Sequence, residues 1–185
     1  MVRLIRSWPE QVPEGRAHVV DQLPRYVMGD YDYRGVESML RPQDAGLAIL
    51  EWDMAVHPDE MTRFLERCRD EPDRTLVTPY KIWCRTGENE FLEDDQQFWC
   101  LRRYNDEAKT SMRFCKEGDE TAHLFGLGLT YIPRDVLLDF VGAFPGHFSD
   151  GSFSAWHYEY VEHETPIAWD VRPIHLHYPI HQMGA

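Results

Sequence analysis

The stretch GLAILEWDMAV, residues 46–56, is a continuous apolar run interrupted only by Glu51 and Asp53. A strand buried on both faces of a parallel sheet reads as such a run rather than as a polar–apolar alternation. The next stretch, HPDEMTRFLERCRDEP, starts a helix. Pro58 suits a first helical position, Asp59 and Glu60 suit the positive end of the macrodipole, and Met61, Phe64, Leu65 and Cys68 recur at helical spacing. TLVTPYKIW at 75–83 is the next strand. The order strand, helix, strand predicts a βαβ unit with a right-handed crossover.

Outward from that unit, VRLIRSW at 2–8 reads as a strand, and AHVVDQL at 17–23 as a shorter one whose apolar run ends at Asp21. YRGVESMLR at 33–41 offers a helical turn stopped by Pro42. Residues 85–122 are polar, acidic and irregular, with FWCLRRY at 98–104 as a strand inside them. HLFGLGLTYIP at 123–133 is apolar with two glycines and leads into RDVLLDFVGAF, a helix opened by Pro133, Arg134 and Asp135. SFSAWHYEYVEH at 152–163 reads as another helix, and PIAWDVRPIHLHYPIHQ as extended chain. Strands alternating with helices predict an α/β architecture.

Composition narrows the classes. The chain has 185 residues, the size of one domain, with 43% hydrophobic and 13% aromatic residues, far from a disordered composition. No apolar run approaches the ~18 residues of a membrane span. The start MVRLIRSWPEQ lacks a signal-peptide apolar region, so a cytoplasmic protein without a membrane partner is expected. Net charge is −13, from 32 acids against 19 bases, which argues against a global grip on nucleic acid. A local arginine cleft (Arg102, Arg103, Arg113, Arg134) stays open. The cysteines, Cys68, Cys84, Cys100 and Cys115, form no C-x-x-C pair and read as reduced, mostly buried thiols.

Two constellations could carry chemistry. Glu51 and Asp53 stand two apart at the end of the most buried strand, on the same side of it, where ligands of open α/β sheets collect. Two carboxylates there suit a hard divalent cation bridging to a phosphate. The plainer alternative is one helix-capping carboxylate and one solvated. At the other end of the chain, His175, His177 and His181 fall within seven residues. In extended chain His175 and His177 point the same way, and neutral imidazole is a good ligand for Mn²⁺ or Zn²⁺. The alternative there is a half-buried edge strand with hydrogen-bonded histidines.

The order of these features resembles the nucleotide-sugar glycosyltransferases of the GT-A fold. It runs from an acid-x-acid at a strand end, through a glycine-containing apolar segment, to an acidic and aromatic helix and a C-terminal histidine. That resemblance implies a single GT-A-like (Rossmann-like) domain, with a mixed central sheet flanked by helices. Residues 1–83 would form the nucleotide-sugar and metal half, and residues 84–185 the acceptor half. It implies Mn²⁺ or Mg²⁺ on the donor diphosphate, held by Glu51-Trp52-Asp53, with Asp53 preferred as the direct ligand and His175 or His177 as the distal one. Asp21 resembles the acid that contacts the base or ribose. Arg6 and Trp8 would stack on or pair with the donor, and Arg34 would approach a phosphate.

GLGLTYIPRDVL at 126–137 resembles the family's acceptor-side stretch. The base that activates an acceptor hydroxyl would be Asp150, on a loop, or Glu159, on the helix. The acceptor would be a glycan or a modified base in DNA. Only 50 residues precede Glu51, fewer than the family's first half usually has. Two rival readings stand beside this one. A non-haem metal oxygenase would use His175, His177 and a carboxylate. A non-catalytic, acidic and aromatic-rich interaction module would use the histidines structurally.

Overall fold

The computed structural model describes residues 2–5, 19–20, 42–51, 54–82, 85–86, 90–91, 98–105, 108–144 and 150–175. The chain opens with β1 (Val2–Ile5), β2 (Val19–Val20) and β3 (Gly46–Leu50), then β4 (Met54–Ala55) and helix α1 (Pro58–Asp70). Next come β5 (Leu76–Val77), β6 (Lys81–Ile82), β7 (Arg85–Thr86), β8 (Glu90–Phe91), β9 (Phe98–Trp99), β10 (Leu101–Tyr104), β11 (Met112–Phe114), β12 (Thr121–Ala122) and β13 (Leu124–Phe125). β14 (Leu129–Pro133) leads into α2 (Arg134–Ala143) and α3 (Asp150–Tyr160), before β15 (Thr165–Pro166) and β16 (Ile174–His175).

The central sheet has the order β2-β1-β3-β14-β5. β1 is parallel to β2 and β3, whereas β14 runs antiparallel to both β3 and β5. The sheet is therefore mixed. β3, the start of the apolar run, occupies its centre, and its alternate side chains feed two cores. Leu47 and Ile49 pack with Ile132, Leu137, Phe140 and Phe153, on the face covered by α2 and α3. Ala48 and Leu50 pack with Met61, Phe64, Cys68 and Tyr131, on the face covered by α1. Burial on both faces is the physical reason the run shows no alternation.

α1 begins as its sequence predicts. His57 caps it, with Nδ1 accepting the Asp59 N–H at 3.3 Å, and Pro58 takes the first helical position. Three expectations need correction. The run 46–56 is two strands, because the Met54 N–H returns to the Glu51 carbonyl (3.1 Å) and the chain turns out of the sheet. The strand 75–83 is likewise two, β5 and β6, with Pro79, which has no N–H to donate, between them. The βαβ unit is not made of neighbours. β3 and β5 are parallel to each other, but β14 sits between them, so the crossover through α1 passes over one strand position.

That inserted strand comes from the glycine-containing segment 123–133. From the polar region 85–122, β10 and β11 join β13, from the following apolar segment, in a separate three-stranded antiparallel sheet, β11-β10-β13. The helical turn expected at 33–41 lies outside the described residues. Among the described residues, no helix is long and apolar enough to cross a membrane. Cys68, Cys100 and Cys115 are free thiols, with burial pushing the Cys115 thiol up to about 12.

Candidate functional site

The end of β3 is fixed by backbone bonds on two sides. The Glu51 N–H donates to the Gly128 carbonyl at 2.9 Å, extending the β3–β14 pairing by one residue. Beyond the turn, β4 leaves the sheet and pairs antiparallel with β16, with Met54 opposite His175 and Ala55 opposite Ile174. Of the two predicted constellations, the described residues show this one relationship, between His175 and the strand that follows Glu51. His175 lies across from the residue immediately after Asp53.

The C-terminal segment reaches that position because it is tied down along its length. Ile167 bridges Val77, and the Ala168 N–H donates to the Val77 carbonyl at 2.9 Å. Arg67 donates to the Asp170 carboxylate at 2.6 Å, and Arg63 to the Asp170 carbonyl at 3.1 Å. Val171 is fully buried among the side chains around α1. Arg172 donates to Glu117 at 3.0 Å and to the Trp169 carbonyl at 2.9 Å. These bonds hold residues 167–172 against the body of the fold and lead the chain into β16.

Behind this junction stands Tyr80, 4% exposed, whose ring meets the His175 ring edge-on with centroids 5.7 Å apart. Gly126 and Gly128 make room for it. A Cβ on Gly126 would run into the Tyr80 hydroxyl and the Cys100 Sγ, and one on Gly128 into the Tyr80 ring. Cys100 donates its N–H to the Tyr80 carbonyl (2.9 Å) and accepts from the Gly126 N–H at 3.2 Å. Cys100 and Gly126 also line a cavity of about 250 Å³, together with Ile82, Arg102, Leu124, Phe125 and Ser154.

Several predicted site residues can be placed. Glu51 is half-buried at the β3 end, and His175 is half-buried in β16. Asp53, His177, Arg6, Trp8, Asp21 and Arg34 lie outside the described residues. Among the described residues, no group of three His, Cys, Asp or Glu side chains converges. Asp150 is not on a loop, as expected, but is the first residue of α3. Glu159 is on α3 as expected, exposed, and ion-paired with Lys109, which also covers the Tyr158 ring. Positions 150 and 159 are nine residues apart, about 13 Å along the helix.

The four-arginine cleft does not assemble as a free cationic surface. Arg113 forms a two-pronged bond to Asp119 (2.7 and 2.8 Å), which holds the Asp119 carboxyl well below the usual carboxylate range. Arg103, opposite Arg113 on the neighbouring strand, binds the Thr121 carbonyl at 2.9 Å and Glu164 at 3.1 Å. Arg134 opens α2 at the far end of β14. Arg102 alone of the four lines the cavity, its guanidinium 5.0 Å from the Phe114 ring centre.

Sequence reasoning missed Tyr80, Cys100 and Ser154. The signal for Tyr80 was in the glycines. Gly126 and Gly128, two apart in extended chain, mark one side where another group approaches closely. No family model matches the chain, and no curated protein matches it either.

Proposed function

We propose that the chain is a metal-dependent glycosyltransferase of GT-A-like fold, moving a sugar from a nucleotide-diphosphate donor to an acceptor hydroxyl. The observation that carries this reading is the β4–β16 pairing, in which His175 stands opposite Met54, the residue that follows the acid-x-acid sequence 51–53. A carboxylate and an imidazole would form a mixed oxygen and nitrogen donor set, and Mn²⁺ accepts both. Asp53 and His175 would hold the ion, with Glu51 beside them. When bound, the divalent ion neutralises charge on the leaving diphosphate.

The remaining roles fall to the chain itself. Tyr80 fixes the His175 ring from behind, and the close packing of Tyr80 on Gly126 and Gly128 keeps that support rigid. Asp150 is the preferred acceptor base. Position 150 lies four residues before Ser154, which lines the cavity, so the two positions share one face of α3. Glu159 is five residues beyond Ser154 and engaged with Lys109. The ion pairs of Arg103 and Arg113 favour a small sugar acceptor over DNA, because they occupy two of the four cations expected to line a cleft for phosphates.

A thermal-shift panel of nucleotide sugars with and without Mn²⁺ tests the reading, since a ligand of the native state raises its melting temperature by mass action. Stabilisation by one nucleotide sugar, dependent on Mn²⁺ and lost in Asp53→Asn, is expected. Stabilisation that persists unchanged in Asp53→Asn overturns the assignment of the metal to that turn.

A further inference from the structure

We infer that the cavity between β10, β13 and α3 binds a single sugar ring carrying an anionic group, and that it is the acceptor subsite; this second part rests on the transferase reading above. Its volume of about 250 Å³ lies below the roughly 300 Å³ at which cavities for drug-sized ligands begin, so it suits one ring. Ile82, Leu124 and Phe125 supply apolar lining for a ring. Ser154, 3% exposed, supplies a hydroxyl that can both donate and accept, as a sugar hydroxyl requires.

The charge comes from Arg102. The chain carries a net charge of −13, and most arginines near this cavity and along α1 are matched with carboxylates. Arg67 meets Asp170, Arg74 meets Glu162, Arg103 meets Glu164 and Arg113 meets Asp119. Arg102 meets no carboxylate among the described residues. Its guanidinium stands over Phe114, which itself stacks on Phe98 with centroids 4.5 Å apart. A guanidinium held over a ring and facing a cavity is a ready fork for a carboxylate or a phosphate. Cys100 and Gly126, which line the cavity, also bond to or pack on Tyr80, and the Tyr80 ring meets that of His175. A ring seated there is next to the point where a donor sugar would be presented.

Cys100 reports on this cavity directly. The intact protein, with neither metal nor nucleotide sugar added, is treated with iodoacetamide, and alkylation of the Cys100 peptide is monitored by mass spectrometry. The ligands are glucuronate, glucose 6-phosphate and neutral glucose. Glucuronate or glucose 6-phosphate is expected to slow Cys100 alkylation at concentrations where glucose does not, and the stronger of the two identifies carboxylate or phosphate as the anion. Arg102→Gln, an exposed position whose melting temperature should match the parent, should weaken that protection about tenfold or more. Ser154→Ala should weaken it for both anionic sugars alike.

Equal protection by glucose, undiminished protection in Arg102→Gln, or no protection by either anion overturns the inference. Because no metal or donor is present, this result is independent of the Asp53 test. Protection together with a failed Asp53 test keeps the pocket and removes its role as acceptor subsite.

Discussion

His175 sits directly opposite Met54 in an antiparallel pair, one residue past Asp53, although 120 residues separate the two in the chain. The pairing joins the C-terminal segment to the end of the central strand, and it sets what each substitution there should do. His175→Ala removes an imidazole that is half-buried in a two-residue strand, so the melting temperature should change little. Mn²⁺ affinity, measured by calorimetry, should fall about tenfold or more, the cost of losing one good nitrogen ligand. Unchanged affinity would leave His175 as a packing partner of Tyr80 alone.

Gly128→Ala tests the support behind that histidine. A Cβ at this position meets the Tyr80 ring, and the Met54 methyl at 2.9 Å, with both side chains buried. Overpacking of this kind costs about 1–3 kcal/mol, which a urea melt resolves. Tyr80→Leu in the same chain should recover part of the loss, because it withdraws the ring that the new methyl strikes. A double mutant no more stable than the sum of the single changes predicts would show that the strain lies elsewhere.

The centre of the fold was readable where burial leaves an unambiguous pattern. Residues 46–50 had to be a strand covered on both faces, and α1 announced itself through Pro58, its acidic first turn and its apolar spacing. The end of that run was not readable. Glu51 and Met54 are joined by a local turn bond that leaves no mark on hydrophobicity. The sheet order was hidden for a related reason. β14 is as apolar as a helix segment of equal length, and its place between β3 and β5 depends on pairings made across 53 to 87 residues. The histidines were visible as a cluster, but their partner strand was not. Register between β4 and β16 is written in tertiary contacts such as Arg67 with Asp170, not in local spacing.

Asp150→Asn and Glu159→Gln separate the two candidate bases. Removal of the true base should lower turnover by about 10²–10⁴-fold and leave donor affinity nearly intact. That loss is expected for Asp150→Asn. Glu159→Gln should keep near-parental turnover and change stability little, since it breaks only an exposed pair with Lys109. Near-parental turnover in both variants would exclude both as the base.

The pH dependence of stability should be governed in large part by His157. Its side chain is fully buried, 2.8 Å from the Thr75 hydroxyl through Nε2 and 3.4 Å from the Thr165 hydroxyl through Nδ1. Burial disfavours the charged imidazolium and pushes its pKa down from 6.5 to about 4. The unfolded chain therefore takes up a proton near pH 6.5 that the native state refuses until about pH 4. In that window the unfolded state binds more protons, so stability rises with pH. The contribution is complete above about 6.5 and is lost progressively as pH falls toward 4, with a span of up to about 3 kcal/mol. Against a typical total of about 5–15 kcal/mol, the loss is large enough to resolve by urea melts at stepped pH. His123, whose pKa is lowered by burial and by the Arg103 charge, acts in the same direction. His157→Gln keeps a hydrogen-bonding side chain but cannot titrate, so its stability should vary less between pH 6.5 and 4 while the His123 part persists. A variant whose slope across that range equals the parent's would show that the buried imidazole is not the group being titrated.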